Sequence, residues 1–390
     1  MYVTRPLSMY KKFPSTLALP PPEGPNSGIL VILDEEAEPT CCFGLCKSHE
    51  LDGLPFPQNK KIELRYSSGS GQHEHVYHKP VAFIPVLDQP LSSNRYYVLK
   101  PRGRHKGEAF TNSTEEDAVT CCFCKCFPDI EPQYADHHDI YQQFEICPRS
   151  RGGFVAKSVA PDGVPPKFLR RKGWGVSIST PHGFRLGEAL GLDTALRARL
   201  PEFNVPLSCK SSEPVVVGKW YCPFIFIKDG RPKDQMARSM YYEMTLEQRW
   251  EQFYACDNGY NEDNVATVDV TVEREVVRVD GMEVLQNIGR EMLDGVMWFR
   301  SSNQVGGEVA VGLSMAIFER MKWEQERFGW TSGNETQERI KRVEESGRDG
   351  GWNKFGCYVL VERFVLRRID GSLALTYDFK HTHQIRSKWE

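Results

Sequence analysis

The sequence predicts a strand-dominated α+β fold with mostly antiparallel sheets, long hairpins and a few short helices. Runs of alternating apolar and polar residues recur, as in residues 373–379, and a period of two is typical of half-buried strands. Asp-Gly pairs at residues 229–230, 280–281 and 370–371 favour hairpin turns between such runs. Twenty-two of the 25 prolines lie at or before Pro206, so we expect long uninterrupted elements in the second half.

Three shifts in composition place a domain boundary near residues 208–213. Twenty-two of the 25 prolines and eight of the twelve cysteines precede it, and seven of the eight tryptophans follow it. A chain of 390 residues is long enough for two or three domains. We therefore expect an extended Pro-rich lead over residues 1–27, a Pro- and Cys-rich β-rich domain over 28–207, and a C-terminal domain of long antiparallel hairpins over 213–390.

Each half contains recognisable elements. In the first half the predicted strands are residues 28–34, 61–67, 76–87, 95–100, 118–127 and 175–179. A helix is predicted over residues 187–200, where Pro201 ends it. In the second half we predict a short helix opening at the capping box of Thr245 and a charged surface helix over 335–346.

The second half also contains a pattern that suggests a repeat. Three segments each combine an aromatic strand, a turn and a long second strand that ends in Trp-Glu. A limited choice of strand sequences would explain the same likeness without duplication. Because aromatic side chains carry large apolar area, we expect four tryptophans of this pattern to be buried. They are Trp220, Trp250, Trp323 and Trp389.

Charge and targeting signals are weak. The net charge of −3 gives no overall attraction to nucleic acid or to an anionic membrane. The N-terminus has no apolar core of a signal peptide, which indicates a protein that is not secreted. The apolar stretch at residues 215–227 contains Lys219 and is too short to span a bilayer. We predict a cytoplasmic location, with the nucleus as the alternative.

Two cysteine clusters are the sharpest candidates for a metal site. Thiolates are ligands that Zn²⁺ prefers, and two clusters could together supply the four that a structural site needs. The alternative is that thiols on one strand face pack as small buried apolar groups. His381 and His383 would share a strand face and supply two further ligands at most. The candidate zinc ligands are Cys41, Cys42, Cys46, Cys121, Cys122, Cys124 and Cys126.

A basic segment is the candidate binding patch. Its cations suit phosphate or anionic lipid headgroups, and its tryptophan would add stacking or an interfacial anchor. The patch consists of Lys167, Arg170, Arg171, Lys172 and Trp174. A second basic segment covers residues 100–106. Solvated loops that balance nearby acids would explain both segments equally well.

Catalytic motifs are absent from the sequence. It has no Gly-flanked serine elbow, no P-loop, no dinucleotide fingerprint and no His-Glu-x-x-His. We therefore assign no catalytic and no cofactor-binding residue, and zinc is the one metal under consideration. The chemistry favours a protein that is not an enzyme, while a site assembled only in three dimensions stays open.

Several long blocks of the chain resemble one family. They are MYVTRPLSMYKKFPS, PPPEGPNSGILVI, TCCFGLCK, LPFPQN, GKWYCPFIFIKDG, MYYEMTLEQRW and the closing KWE. In these blocks the chain is similar to land-plant proteins that share a domain of unknown function, sometimes labelled an insecticidal crystal toxin domain. The resemblance implies a plant source and a setting in stress and defence. It implies no activity, fold or functional residue.

Together these observations predict a non-enzymatic intracellular binding or scaffold protein of plants, linked to stress or defence responses, with another protein as its partner. Anionic lipid contact through the basic patch is a further expectation. Two alternatives stay open: a membrane-perturbing, toxin-like protein, and a zinc-dependent enzyme built on the Cys and His groups.

Overall fold

The structure is a computed structural model that divides into two compact units. It describes residues 1–22, 24–41, 46–68, 75–121, 124–181, 183–259, 264–284, 289–302, 307–331, 336–346 and 352–390. Unit 1 comprises Met1–Leu190, Trp220–Tyr242 and Arg368–Asp370, and unit 2 comprises Gly191–Lys219, Glu243–Arg367 and Gly371–Glu390. The boundary predicted at residues 208–213 lies inside a segment of unit 2.

Strands make up most of the regular structure, which confirms the predicted fold class. Up to residue 190 the strands are β1 (Tyr2–Pro6), β2 (Gly28–Ile32), β3 (Thr40–Cys41), β4 (Cys46–Lys47), β5 (Glu50–Leu51), β6 (Lys61–Ser68), β7 (His75–Pro85), β8 (Arg95–Leu99), β9 (Val119–Cys121), β10 (Cys124–Cys126), β11 (Gln143–Pro148), β12 (Phe154–Ser158) and β13 (Gly175–Ser179). The later strands are β14 (Gly191–Leu192), β15 (Val215–Pro223), β16 (Ile227–Lys228), β17 (Tyr241–Asp257), β18 (Val265–Glu273), β19 (Glu275–Val279), β20 (Met282–Glu283), β21 (Arg290–Leu293), β22 (Val296–Ser302), β23 (Glu308–Ser314), β24 (Gln337–Glu345), β25 (Lys354–Arg368) and β26 (Leu373–Trp389).

The helices are few and short. They are α1 (Leu7–Lys12), α2 (Lys167–Arg170), α3 (Thr194–Arg199), α4 (Pro232–Arg238) and α5 (Met315–Glu326). Single 3-10 turns lie at Pro14–Ala18, Glu35–Ala37, Leu91–Ser93, Glu115–Asp117, Ile140–Gln142 and Phe224–Phe226. Among the helices of the described residues, none has the length and apolar character that crossing a membrane requires.

Unit 1 is built on an antiparallel sheet with the strand order β12-β11-β8-β7-β6-β13-β5. Strands β1 and β2 of unit 1 pair in parallel, from Tyr2 opposite Gly28 to Pro6 opposite Ile32. Aromatic rings fill the core: the ring centroid of Phe56 lies 4.9 Å from that of Phe83 and 5.1 Å from that of Phe154. Burial of these rings supplies much of the apolar area that stabilises a sheet of this size.

Unit 2 contains the long hairpin that the sequence predicts near its end. Strands β25 and β26 pair from Arg367 opposite Leu373 to Phe355 opposite Trp389, with a register shift between Val359 and Leu360. Strands β18 and β24 pair over nine residues each. Strands β21, β22 and β23 form a further antiparallel set.

Three predicted helices differ from the structure. The segment at Thr245 belongs to strand β17, and residues 337–345 form strand β24. Around Thr245 strand β17 is buried or half-buried on both faces, whereas β24 alternates exposed residues with more buried ones. In both segments pairing with neighbouring strands overrides local helix preference. The third helix is real but shorter than predicted, because α3 starts only at Thr194, where the Asp193 side chain accepts a hydrogen bond from the amide of Leu196.

The repeat pattern leads to one more correction. The middle segment forms the hairpin of β22 and β23, but its continuation is helix α5 rather than a strand. Of the tryptophans predicted to be buried, Trp220 and Trp250 are fully buried. Trp323 lies on α5 and Trp389 lies near the end of β26, and both are half-buried.

Candidate functional site

A cleft of about 530 Å³ lies on the sheet of unit 1. Its floor uses three neighbouring strands, β7, β6 and β13. Ile62 on β6 stands opposite Val81 on one side and Ile178 on the other, and all three are buried. A cleft of this size accommodates a small organic ligand.

Two walls rise beside this floor and touch at one end. One wall is the loop that carries Arg102 and Lys106, and the other is helix α4 with Met240 after it. Gly107 has a positive φ of 86°, and a Cβ atom there would lie 2.4 Å from the carbonyl oxygen of Pro232. Only glycine allows this loop to approach the first residue of α4 so closely.

A chain of hydrogen bonds fixes the wall formed by α4. The buried amide of Gln235 donates to the carbonyl oxygen of Ile227 at 2.9 Å and to the hydroxyl of Tyr242 at 3.0 Å. That hydroxyl donates to Asp229 at 3.0 Å, and Arg368 donates to both oxygens of Asp229 at 2.6 and 2.9 Å. Pro232 starts the helix with a favourable φ. The wall is therefore held in place without a ligand.

The charge of the cleft is strongly positive. Five cations and one carboxylate, Glu63, are among its lining residues. The carboxylate faces Nδ1 of His78 at 3.3 Å. Because the whole chain carries a net charge of −3, the cleft is a local concentration of positive charge that attracts anions. The cations are Lys60, Lys61, Arg102, Lys106 and Arg238.

Most of these cations make no ion pair. Lys60 lies 3.8 Å from Glu38, but none of the other four forms an ion pair with a carboxylate in the part of the chain that the structure describes. The apolar lining includes Phe184, Met236 and Met240, which are half-buried. The ring of Phe184 packs 5.4 Å from the buried ring of Tyr241.

The lining of the cleft combines cations with apolar surface. Among the described lining residues there is no histidine or cysteine, and Glu63 is the one carboxylate. Cations beside apolar surface match the chemistry of an anionic organic ligand.

The predicted binding patch lies elsewhere in unit 1. Trp174 is fully buried, and its indole donates to the carbonyl oxygen of Leu169 at 2.9 Å, so its ring is not exposed to a ligand. Arg170 donates to the carbonyl oxygen of Phe127 at 3.3 Å. The guanidinium of Arg171 lies 5.7 Å from the ring centroid of Tyr66. Anion binding by the exposed Lys167 and Lys172 stays a prediction.

The second basic segment is the one that contributes to the cleft. Arg102 and Lys106 line it, whereas His105 points to carboxylates, with Nδ1 at 2.6 Å from Glu108 and Nε2 at 3.4 Å from Glu131. The remaining cations come from separate segments of the chain. No sequence motif indicates that these cations lie close together, so the sequence alone does not predict the cleft.

Both cysteine clusters form short hairpins. Cys41 stands opposite Cys46 between β3 and β4, and Cys121 stands opposite Cys124 between β9 and β10. The prediction of a single strand over residues 118–127 is therefore wrong. Cys46 and Cys126 are exposed, so for these two the packing alternative is wrong as well.

The zinc hypothesis is not tested at most of its ligands. Cys42 and Cys122 lie outside the described residues, as do the side chains of Cys41, Cys121 and Cys124. Among the side chains that are described, no group of three or more His, Cys, Asp or Glu is arranged to hold a metal. The zinc site stays a prediction.

Unit 2 contains a buried ionic network. Arg197 donates from Nε to Oε1 of Glu362 at 2.8 Å and from Nη2 to Oε2, and from Nη1 to Glu324 at 3.3 Å. The amide of Gln325 donates to Glu362 at 2.8 Å and its oxygen lies 2.9 Å from Nε2 of His381. All five side chains are buried.

The network shifts the pKa values of its two carboxyl groups in opposite directions. Burial acts to raise the pKa of Glu362, but the facing imidazole of His381 and the guanidinium of Arg197 outweigh burial and lower that pKa to about 2. For Glu324, burial outweighs the nearby arginines and raises the pKa. The network thereby links α3, α5 and β25 within unit 2.

The structure defines a strand-dominated α+β protein with a basic cleft in unit 1. A family model described as "Protein of unknown function (DUF1262)" matches residues 23–123, about a quarter of the chain, and supports the resemblance there. No curated protein matches the chain. Among solved structures, the "Crystal structure of Cry35Ab1" is similar with 11% identity and a TM-score of 0.46, covering 86% of this chain and 90% of that chain. At this TM-score the likeness carries no argument about fold or function.

Proposed function

We propose that the protein is a non-enzymatic intracellular binding protein of plants, acting in stress or defence, whose unit 1 takes an anionic small molecule in the basic cleft. The observation that supports binding is the cluster of five cations around apolar surface, with one carboxylate among them. The plant source and the stress setting rest on the family resemblance alone. A protein partner remains part of the proposal, without an assigned surface.

The anionic fluorophore 1-anilinonaphthalene-8-sulfonate tests ligand binding in the full chain, because it combines an apolar ring system with one negative charge. We expect saturable fluorescence enhancement in the wild type. The double substitution Lys61→Glu and Arg238→Glu should weaken binding about tenfold or more, since two favourable charge contacts become repulsive.

A matched control uses two exposed cations that belong neither to the cleft nor to the predicted binding patch. Arg151→Glu with Lys157→Glu changes the net charge by the same amount but leaves the cleft intact. We expect it to bind the fluorophore like the wild type, with circular dichroism confirming that both variants fold. Equal loss in both variants, or no saturable binding in the wild type, would contradict the proposal.

A further inference from the structure

The positions of the five cations indicate how the charges of a ligand would be spaced. Lys106 precedes Gly107, which touches Pro232 at the start of α4, whereas Arg238 is the last residue of that helix. A helix rises about 1.5 Å per residue, so these two ends are about 9 Å apart. Lys61 is the first residue of strand β6 and Lys60 precedes it, so both approach from the floor side. The positive charges therefore enter the cleft from three directions.

The space between these cations is apolar. Met236 and Ala237 of α4, the ring of Phe184, and Val81 and Ala82 of β7 are lining residues. A compact inorganic anion cannot reach both ends of α4 and would leave this surface in contact with water. An apolar body covers the surface and gains the free energy of removing it from water.

The lack of ion pairs at these cations also favours a ligand with several anionic groups. Two other arginines of unit 1 have carboxylate partners within the protein: Arg65 lies 2.8 Å from Glu50, and Arg368 is bidentate on Asp229. Arg102 and Arg238 form no ion pair with a described carboxylate, and their guanidinium forks match carboxylate, sulfonate or phosphate groups. Several cations held close together repel one another until anionic groups lie between them.

We propose, on the basis of the proposed function, that the ligand is an organic polyanion with two or more separated anionic groups around a flat or compact apolar body. Each end of α4 receives one anionic group, through Arg102 and Lys106 at one end and Arg238 at the other. The apolar body lies on Phe184 and Met236. Lys60 and Lys61 compensate any further charge.

Two pyrene derivatives separate charge number from apolar area. Pyrene-1-sulfonate and pyrene-1,3,6,8-tetrasulfonate share one ring system, and tripolyphosphate supplies charge without an apolar body. In displacement titrations of the fluorophore from the full chain, the tetrasulfonate should bind at least about tenfold tighter than the monosulfonate. Tripolyphosphate should bind more weakly than the tetrasulfonate. In Arg102→Gln with Arg238→Gln, the preference for the tetrasulfonate should fall to about twofold or less.

The outcomes distinguish this inference from the proposed function. If the two pyrenes bind with equal affinity while fluorophore binding still depends on Lys61 and Arg238, the inference of a polyanionic ligand is wrong. The proposed binding function then still stands. Tripolyphosphate that binds as tightly as the tetrasulfonate would overturn the apolar body. If the fluorophore does not bind the wild type saturably, the proposed function itself is contradicted. Phosphatidylserine vesicles that bind the protein and are displaced by the tetrasulfonate would identify the anions as lipid headgroups, and vesicles that do not bind would identify a free ligand.

Discussion

Gly107 lies against the carbonyl oxygen of Pro232, at a distance that leaves no room for a side chain. We predict that Gly107→Ala destabilises the protein by about 2–4 kcal/mol, from an unfavourable positive φ and a clash with backbone atoms. Because the clash separates the walls of the cleft, the fluorophore should also bind more weakly. Chemical unfolding and the fluorophore titration measure the two effects.

Gly103 is the matched control for this substitution. It lies in the same loop with a positive φ of 79°, but a Cβ atom there has no neighbour within 4 Å. Gly103→Ala should therefore cost only about 1–2 kcal/mol, from the backbone conformation alone, and leave binding unchanged. If the two alanine variants lost the same stability and affinity, contact between the loop and α4 would not shape the cleft.

The buried network of unit 2 predicts a large effect of one neutral substitution. Glu362→Gln keeps the size of the side chain but leaves the guanidinium of Arg197 with a weaker partner, so we expect a loss of about 3–5 kcal/mol. Asp269→Asn is the control, because Asp269 makes a similar contact with Arg339 on the surface. The control should change the urea midpoint little. Equal shifts of the midpoint would show that burial does not strengthen the Arg197–Glu362 pair.

The lowered pKa of Glu362 predicts that the free energy of unfolding depends on pH. Its pKa is lowered from about 4.5 in the unfolded chain to about 2 in the folded protein, so its contribution is complete above pH 4.5 and is lost as the pH falls toward 2. A shift of this size corresponds to about 3 kcal/mol. The raised pKa of Glu324 acts in the opposite direction. The free energy of unfolding measured between pH 2 and 6 in the wild type and in Glu362→Gln isolates Glu362, because the variant should lose this slope.

The cysteines predict two classes of reactivity. Cys46 and Cys126 are exposed, whereas burial raises the pKa of Cys222 to about 11 and that of Cys357 to about 12. Because the thiolate is the reactive form, alkylation in native buffer should label the first pair, and the second pair should react only in denaturant. Peptide mass spectrometry measures each site. Protection of Cys46 and Cys126 by added zinc would support a metal site, and native labelling of Cys357 would contradict the structure.

Clear alternation makes some elements predictable from the sequence. Strand β13 has the predicted bounds, Gly175–Ser179, and β6 differs from its prediction by one residue. The hairpin of β25 and β26 follows from Asp-Gly between two alternating runs, and Gly371 takes the positive φ of 87° that such a turn requires. These signals are local, so one sequence is enough to identify them.

Other elements depend on partners that the sequence does not place. Strand β24 is charged along its length, and it forms because Ile340 packs inward while Arg339 pairs with Asp269 on the partner strand β18. Helix α5 was predictable in principle, because Ile317, Arg320 and Glu324 recur at the spacing of one helix face and all are buried. The segment of α5 shares its Trp-Glu pair with the two other segments of the repeat pattern. That likeness predicts a strand with a period of two, where the structure has a helix.

The anchor of α4 has a consequence for how the protein is made. Arg368, which holds Asp229 beneath this wall, is translated 130 residues after the last residue of the helix. A nascent chain on the ribosome therefore has the floor of the cleft and both walls before it has the residue that fixes one of them. The wall formed by α4 therefore gains its anchor only when residue 368, close to the end of the 390-residue chain, has left the exit tunnel.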